Sequence, residues 1–176
     1  MIMSSSFLMI KVNNVNEKDF KNFNYKKNSG VFSLHFDNEE KGSGNINWNF
    51  VIGYGKNNTV RFLRQNEYFL LLTSTTETAK LFKEMLKELT NSKSITTIIK
   101  IPLNSKLNPA KKYDGMTNLS VDKIFGVKGE YTGENYASKV SMYTNGLVTY
   151  NMTQSESIVR KLAQLTIEIS NDCSKL

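Results

Sequence analysis

The feature that most constrains this chain is an order of elements that occurs twice, in which strand-like segments are followed by one amphipathic helix. The first predicted helix follows residues 73–77, a run of hydroxyl and acidic residues that can cap a helix N-terminus. The second begins near Ser155. Their apolar stripes have helical spacing and consist of Leu81, Phe82, Met85, Leu86 and Leu89 in the first and Ile158, Val159, Leu162, Leu165 and Ile169 in the second. Each stripe must pack on an apolar surface, so both helices are expected to cover strands.

Each predicted helix is preceded by three segments with strand character. They are Trp48–Tyr54, Thr59–Leu63 and Tyr68–Thr73 before the first helix, and Lys128–Thr132, Ala137–Tyr143 and Leu147–Met152 before the second. The halves also open alike, because Met9–Asn13 and Ile98–Pro102 share their apolar character. These similarities predict an α+β chain made of two diverged copies, residues 1–90 and 95–172, with a polar tail at 173–176. The short connector between the copies favours one continuous sheet.

Strand parity in the second half predicts two unlike faces. Val140, Met142, Val148 and Tyr150 are expected to point toward the helices. The opposite face then carries Ser141, Tyr143, Thr149 and Asn151, which are polar with one aromatic among them. A sheet with helices on one side offers its other side to a ligand.

The charge of the chain favours an anionic partner. The formal net charge is +7, and lysine supplies most of the positive charge because the only arginines are Arg61, Arg64 and Arg160. Lysine holds phosphate as a point charge, whereas base reading in the major groove usually relies on the two-pronged arginine side chain. A nucleic-acid backbone or minor groove therefore fits better than a major groove. An AT-rich genome also enriches lysine and asparagine through codon bias, so a purely compositional origin of the charge stays open.

The residues that most enzymes need are scarce. His35 is the only histidine and Cys173 the only cysteine, and no glycine-rich phosphate loop opens a helix. We therefore expect no catalysis, cofactor, metal site or small-molecule substrate. A single cysteine cannot form an internal disulfide, which favours an intracellular protein of the nucleus, cytoplasm or a viral factory. No apolar run is long enough for a membrane span, so no membrane partner is expected.

Two short motifs in the second half resemble the TATA-box-binding protein family. Ile124–Tyr131 is similar to the segment around that family's first intercalating phenylalanine, and Met142–Val148 is similar to the hairpin that carries its second. The resemblance implies a two-repeat saddle, in which a curved antiparallel sheet carries amphipathic helices on one face and DNA on the other. It also implies that Phe125 and Tyr143 are the intercalating wedges.

The first half matches the family less closely. Phe62 falls at the position that corresponds to Tyr143, and Phe50 or Trp48 stands for the other wedge. If Phe62 faces DNA, strand parity turns Arg61 toward the helices, so a bulge or a loss of the family geometry is required. Lys11 and Lys100 lie near positions where the family has minor-groove asparagines. Together with Thr149 and Asn151, these residues complete the DNA contacts that the resemblance implies.

The function implied by the resemblance is that of a DNA-binding transcription-initiation factor. Such a protein binds and bends AT-rich promoter DNA through the minor groove, and recruits a TFIIB-like factor or RNA polymerase. The departures from the family motifs are typical of a diverged member, such as one encoded by a virus or plasmid. The alternative is a protein-binding module that uses the open sheet face or a sheet edge, with a basic charge of compositional origin. Exposed aromatic side chains on the open face would favour the first hypothesis.

Overall fold

The computed structural model describes residues 2–27, 30–37, 40, 42–50, 56–108, 111–122, 124–133 and 135–173. Within these ranges the chain forms antiparallel β-strands and two α-helices, so its fold class is α+β. The strands are β1 Ser4–Asn13, β2 Phe23–Lys27, β3 Gly30–Phe36, β4 Ser43–Phe50, β5 Lys56–Gln65, β6 Tyr68–Leu71, β7 Ile95–Ile98, β8 Met116–Asp122, β9 Gly126–Gly133, β10 Tyr136–Tyr143 and β11 Leu147–Thr153. The helices are α1 Glu77–Leu89 and α2 Glu156–Cys173. No helix in the described ranges is long and apolar enough to cross a membrane.

The chain divides into two compact units. Residues 10–97 form one, here called the N-terminal unit, and residues 1–9 with 98–176 form the other, the C-terminal unit. The first residues belong to the C-terminal unit because β1 pairs with β11, with Ser6 opposite Thr149 and Phe7 opposite Val148. Each unit thus contains an open antiparallel set of strands and one helix.

In the N-terminal unit, strands β2 to β6 pair in chain order as an antiparallel meander. Helix α1 packs on this meander through Phe82, whose ring centroid lies 5.1 Å from that of Phe69 and 6.2 Å from that of Phe62. Phe36 adds an edge-on contact to Phe62 at 5.4 Å. Full burial of one such ring stabilises a fold by roughly 1.5–3 kcal/mol, so this aromatic cluster is the core of the unit.

In the C-terminal unit, the strand order is β1-β11-β10-β9-β8. Val140, Met142, Val148 and Tyr150 are all buried, which agrees with the predicted strand parity. Tyr150 also joins two distant parts of the chain, because its hydroxyl lies 2.7 Å from the Ser4 hydroxyl. Ser4 in turn donates to the carbonyl of Ser6, so Tyr150 is the donor of the first bond. The opposite face of this sheet is polar and is called the open face below.

Both predicted helices are present, with small changes at their edges. Leu81 and Ile158 were placed on the apolar stripes, but both are only half-buried. Ser155 caps α2 by accepting from the N–H of Ile158 (3.4 Å), as expected of a serine before the first turn. The predicted polar tail starts too early, because α2 continues to Cys173.

Several strands and two strand starts were missed by sequence reasoning. Strands β2, β3 and β8 were not predicted. Strands β2 and β8 contain few buried residues, so their strand pattern is weak. Strand β4 begins at Ser43, before the predicted start at Trp48. Gly44 is needed there because an added Cβ would lie 2.5 Å from Cζ of Phe62 and 2.1 Å from the carbonyl oxygen of His35. Strand β5 begins at Lys56, before the predicted start at Thr59.

Candidate nucleic-acid interface

The loop between β8 and β9 presents two apolar side chains to solvent. Ile124 is 69% exposed and Phe125 is 55% exposed, values that are high for large apolar residues. The Asp122 carboxylate anchors the loop by accepting the backbone N–H groups of Ile124 (2.9 Å) and Phe125 (3.0 Å). These two hydrogen bonds lower the pKa of Asp122, because they stabilise its ionised form.

The same loop is held from the other side by the β10–β11 turn. The backbone N–H of Thr144 donates to the carbonyl of Phe125 (3.1 Å), and the Thr144 hydroxyl donates to the carbonyl of Ile124 (3.1 Å). The main chain on both sides of the Phe125 ring is therefore fixed by hydrogen bonds. The backbone of this loop therefore loses little further conformational entropy on binding.

Gly126 allows this loop to approach β10. Its φ angle is +120°, and an added Cβ would lie 2.1 Å from the carbonyl oxygen of Met142. Gly126 is the direct cross-strand partner of Tyr143, a half-buried residue of the open face. Phe125 and Tyr143, which were predicted separately from two motifs, are thus brought to the same end of the C-terminal unit.

A row of polar residues crosses the open face from this end. Lys128 pairs with Ser141, and Ser141 pairs with Thr149 on the next strand. The Lys128 Nζ atom lies 5.9 Å from the centroid of the Phe125 ring, within range of a cation–π interaction of about 0.5–1 kcal/mol. The positive charge and the exposed ring therefore belong to one surface.

The next row contains both signs of charge. Lys139 pairs with Glu130, whose carboxylate accepts a hydrogen bond from the Asn118 side chain at 2.7 Å. All three side chains are exposed. The open face is thus basic at Lys128 and close to neutral one row away.

Thr149 and Asn151 have different positions on this face. Thr149 is half-exposed in the row of Lys128, as predicted from parity. Asn151 is exposed, but its side-chain NH₂ donates to the carbonyl of Ala137 at 3.1 Å, and its main-chain carbonyl accepts from the Tyr136 hydroxyl. Much of its hydrogen-bonding capacity is therefore used within the sheet.

The wedge assigned to Phe62 is wrong. Phe62 is fully buried and its ring packs against those of Phe69 and Phe82 of α1. Strand β5 therefore turns Phe62 toward the helix and Arg61 to the opposite face, and no bulge is needed to reconcile the parity. A ring in this position cannot enter DNA while the unit remains folded.

Trp48 is also on the wrong face for a wedge. It pairs with Phe32, and Ile46 on the same strand pairs with Leu34; Ile46, Leu34 and Phe32 are buried. Side chains two residues apart share a face, so the register places Trp48 on the side of the aromatic core, where it is half-buried. Phe50 lies in the same strand, but its side chain is outside the described part of the structure.

The opposite face of the N-terminal unit is rich in uncharged polar groups. Ser33, Asn47 and Thr59 form one cross-strand row, in which Thr59 donates to Asn47 at 2.8 Å. Arg61 lies on this face and forms an ion pair of 2.8 Å with Asp37. This face has no counterpart to the Phe125–Tyr143 pair among the described side chains.

The two predicted lysine contacts are not alike. Lys11 lies in β1, 3.8 Å from the Glu67 carboxylate and 5.8 Å from the centroid of the Tyr68 ring. Lys100 was expected in the opening strand of the second half, but β7 ends at Ile98. The Lys100 carbonyl accepts a hydrogen bond from Ser170 of α2 (3.0 Å), so its main chain lies against the helix. Lys11 therefore belongs to the N-terminal unit, and the main chain at Lys100 lies against α2 of the C-terminal unit.

Sequence reasoning overlooked the residues that support Phe125. Lys128 and Lys139 could have been found by extending strand parity to β9 and β10, because both alternate with buried residues. Asp122 and Thr144 carry weaker signals, since an Asp two residues before a turn and a Thr beside Asn-Gly are common in loops. The hydrogen bonds of Asp122 and Thr144 to Ile124 and Phe125 are visible only in the three-dimensional structure.

Comparisons with protein-family models, characterised proteins and solved structures find no match to this chain. Among the described residues, no group of three or more His, Cys, Asp or Glu side chains could hold a metal ion. The candidate interface consists of the exposed Phe125 ring, the neighbouring Tyr143 and the charge of Lys128.

Proposed function

We propose that the open face of the C-terminal unit binds double-stranded DNA, with Phe125 as a wedge in the minor groove. The observation that carries this proposal is the exposure of Phe125 on a loop fixed by Asp122 and Thr144, beside Tyr143 and Lys128. Ile124 and Phe125 are adjacent and both exposed, and contiguous exposed apolar surface often marks an interaction site.

The chemistry of such a contact is bending. A wedge that enters a base step unstacks it at a cost of a few kcal/mol, which is offset by the surface that bent DNA lays against the protein. AT-rich steps are easier to deform, so an AT-rich promoter is the proposed target. Tyr143 is better suited to a position beside the intercalating Phe125 ring than to intercalation itself, because its hydroxyl needs a hydrogen-bond partner.

Lysine supplies the electrostatic part of the proposed contact. Lys128 and Lys139 stand on adjacent rows of the open face and can each neutralise a phosphate. The negative charge of Glu130 repels phosphates close to these lysines. The fit of the open face to the DNA and the Phe125 wedge must therefore also contribute to the affinity. We accordingly expect a small number of phosphate contacts in the C-terminal unit.

The biological role within this proposal is transcription initiation, with a TFIIB-like factor or RNA polymerase as the partner. Its support is the resemblance of Ile124–Tyr131 and Met142–Val148 to the TATA-box-binding protein family. A two-repeat saddle remains part of the proposal, supported by two units that each contain an antiparallel meander followed by one helix. In this proposal the N-terminal unit contributes no wedge.

DNA bending tests the proposal most directly. A short AT-rich duplex labelled at both ends is titrated with the protein, and its end-to-end distance is followed by energy transfer. We expect Phe125→Ala to reduce bending strongly, because the ring is the wedge. Met152→Ala is the matched control, since Met152 is 65% exposed and lies at the far end of β11. Equal bending by the wild type and Phe125→Ala would overturn the wedge.

Salt dependence tests the phosphate contacts separately. Each phosphate contact contributes about 0.9 to the slope of log affinity against log salt concentration. Lys128→Gln should reduce the magnitude of this slope by about 0.9, which corresponds to the loss of one phosphate contact. A wild-type affinity that does not change with salt would reject DNA binding through this face.

One observation favours a second candidate function, a protein-binding module. Ile124 is exposed beside Phe125, and two adjacent apolar side chains on a fixed loop also suit a pocket on a protein partner. In that case Ile124→Ala and Phe125→Ala would weaken the protein complex alike, and duplex DNA would not compete with it.

A further inference from the structure

Three lysines converge on a pocket at the C-terminal end of α1, in the N-terminal unit. Lys18 and Lys21 come from the segment that follows β1, and Lys93 comes from the turn after α1. The pocket measures about 180 Å³, and its remaining lining residues are Asp19, Leu89, Thr90 and Asn91. Segments far apart in the chain thus line one pocket with three lysines.

These lysines are not required to cap the helix. The Thr90 hydroxyl donates to the carbonyl of Leu86 (2.7 Å), and the N–H of Ser92 donates to the carbonyl of Lys87 (2.7 Å). The last carbonyls of α1 therefore receive hydrogen bonds from the chain that follows it. Lys87 already lies in the last turn of α1, where a cation opposes the helix dipole.

The positive charge of the pocket is not balanced by described acidic groups. None of the three lysines forms an ion pair with a described carboxylate. Asp19 is the one acid in the lining, and its carboxylate accepts the backbone N–H of Asn16 at 3.1 Å. The lining thus holds three basic residues and one acidic residue, and this excess of positive charge favours a bound anion.

We propose that this pocket binds a phosphate group. Each lysine is a compact charge with three donors, which suits the several acceptor oxygens of a phosphate. A carboxylate is usually held by the planar fork of arginine, and no arginine lines the pocket. The Asn91 side chain is exposed and adds a neutral donor. None of these residues belongs to the open face of the C-terminal unit, so this site is separate from the proposed DNA wedge.

A triple variant with a matched control tests the site. Lys18→Gln, Lys21→Gln and Lys93→Gln are combined. The control combines Lys26→Gln, Lys80→Gln and Lys112→Gln, which are also exposed and change the net charge by the same amount. Binding of inorganic tripolyphosphate is measured by calorimetry at about 100 mM salt. We expect the pocket variant to lose about fivefold in affinity or more, and the control less than about twofold. Equal losses would overturn the proposal, as would no binding by the wild type.

A second arm, with a short DNA duplex, distinguishes the source of the phosphate. A loss for tripolyphosphate alone identifies a free phosphorylated ligand, whereas a loss for duplex identifies a phosphodiester backbone. If neither ligand discriminates the pocket variant from its control, the pocket does not bind phosphate. Circular dichroism of all variants checks that the fold is unchanged, which is expected because every substituted side chain is exposed.

Discussion

The backbone N–H of Thr144 donates a hydrogen bond to the carbonyl oxygen of Phe125 at 3.1 Å, and so joins the β10–β11 turn to the β8–β9 loop. Residues 19 positions apart in the chain thereby fix one exposed aromatic ring. Asp122 completes the arrangement from within the loop. The candidate interface is therefore a property of two loops acting together.

Two phenylalanines that were assigned the same role should differ sharply in their effect on stability. Phe62→Ala removes a fully buried ring and is expected to cost about 3–5 kcal/mol of unfolding free energy. Phe125→Ala removes an exposed ring and should change it by less than about 1 kcal/mol. Urea denaturation of both variants measures the difference, and a large loss in Phe125→Ala would contradict its placement on the surface.

Alanine at Gly126 should destabilise the C-terminal unit. A methyl group at φ +120° would lie 2.1 Å from a backbone carbonyl, so the loop must move or the strand pair must open. We expect a loss of about 2 kcal/mol or more. Gly42→Ala is the control, because nothing lies within 4 Å of an added Cβ there. Similar stabilities of the two variants in urea would contradict the close approach at Gly126.

The order of the Phe125 loop should depend on pH through Asp122. Its pKa is lowered by the backbone N–H groups of Phe125 and Ile124, so the carboxylate titrates below its ordinary value of 3.8. A lowered folded pKa means that the stabilisation is present above the unfolded pKa and is lost as pH falls through the folded pKa. The amide proton shifts of Ile124 and Phe125 should therefore move together below pH 3.8. Asp122→Asn should abolish this titration, and a midpoint above 3.8 would contradict the anchor.

Tyr150 should ionise at a higher pH than an exposed tyrosine, and its contribution to the stability of the protein should be lost only in alkaline solution. Burial raises its pKa to about 12. The folded pKa exceeds the unfolded value of 10.0, so the contribution is complete below pH 10.0 and is lost as pH rises toward about 12. Difference absorbance at 295 nm of the wild type against Tyr150→Phe isolates this step.

The Tyr150→Phe variant also measures the Ser4 contact at neutral pH. Removal of the hydroxyl leaves the buried Ser4 oxygen without this donor, which should cost about 1–2 kcal/mol. Ser4→Ala should cost a similar amount. The double variant should cost less than the sum, and strict additivity would show that the two hydroxyls do not interact.

Much of the C-terminal unit could be predicted from the sequence. Periodicity located both helices, and alternation correctly assigned Val140, Met142, Val148 and Tyr150 to the buried face. These signals are local, because a residue's position along a helix or strand decides which face it occupies. The prediction for Phe62 was wrong because it followed the family resemblance. In the structure Phe62 is buried, and alternation places Arg61 on the opposite face.

The sequence alone determined that the chain is α+β, that two amphipathic helices each follow a set of strands, and that one face of β10 and β11 is polar. Tertiary structure decided which aromatic residues are free to act, because burial depends on what packs across a strand and not on residue type. It placed Phe62 under α1 and left Phe125 exposed, and it brought Lys18, Lys21 and Lys93 to one pocket. Contacts between residues far apart in the chain have no local signature, so only the folded chain shows them.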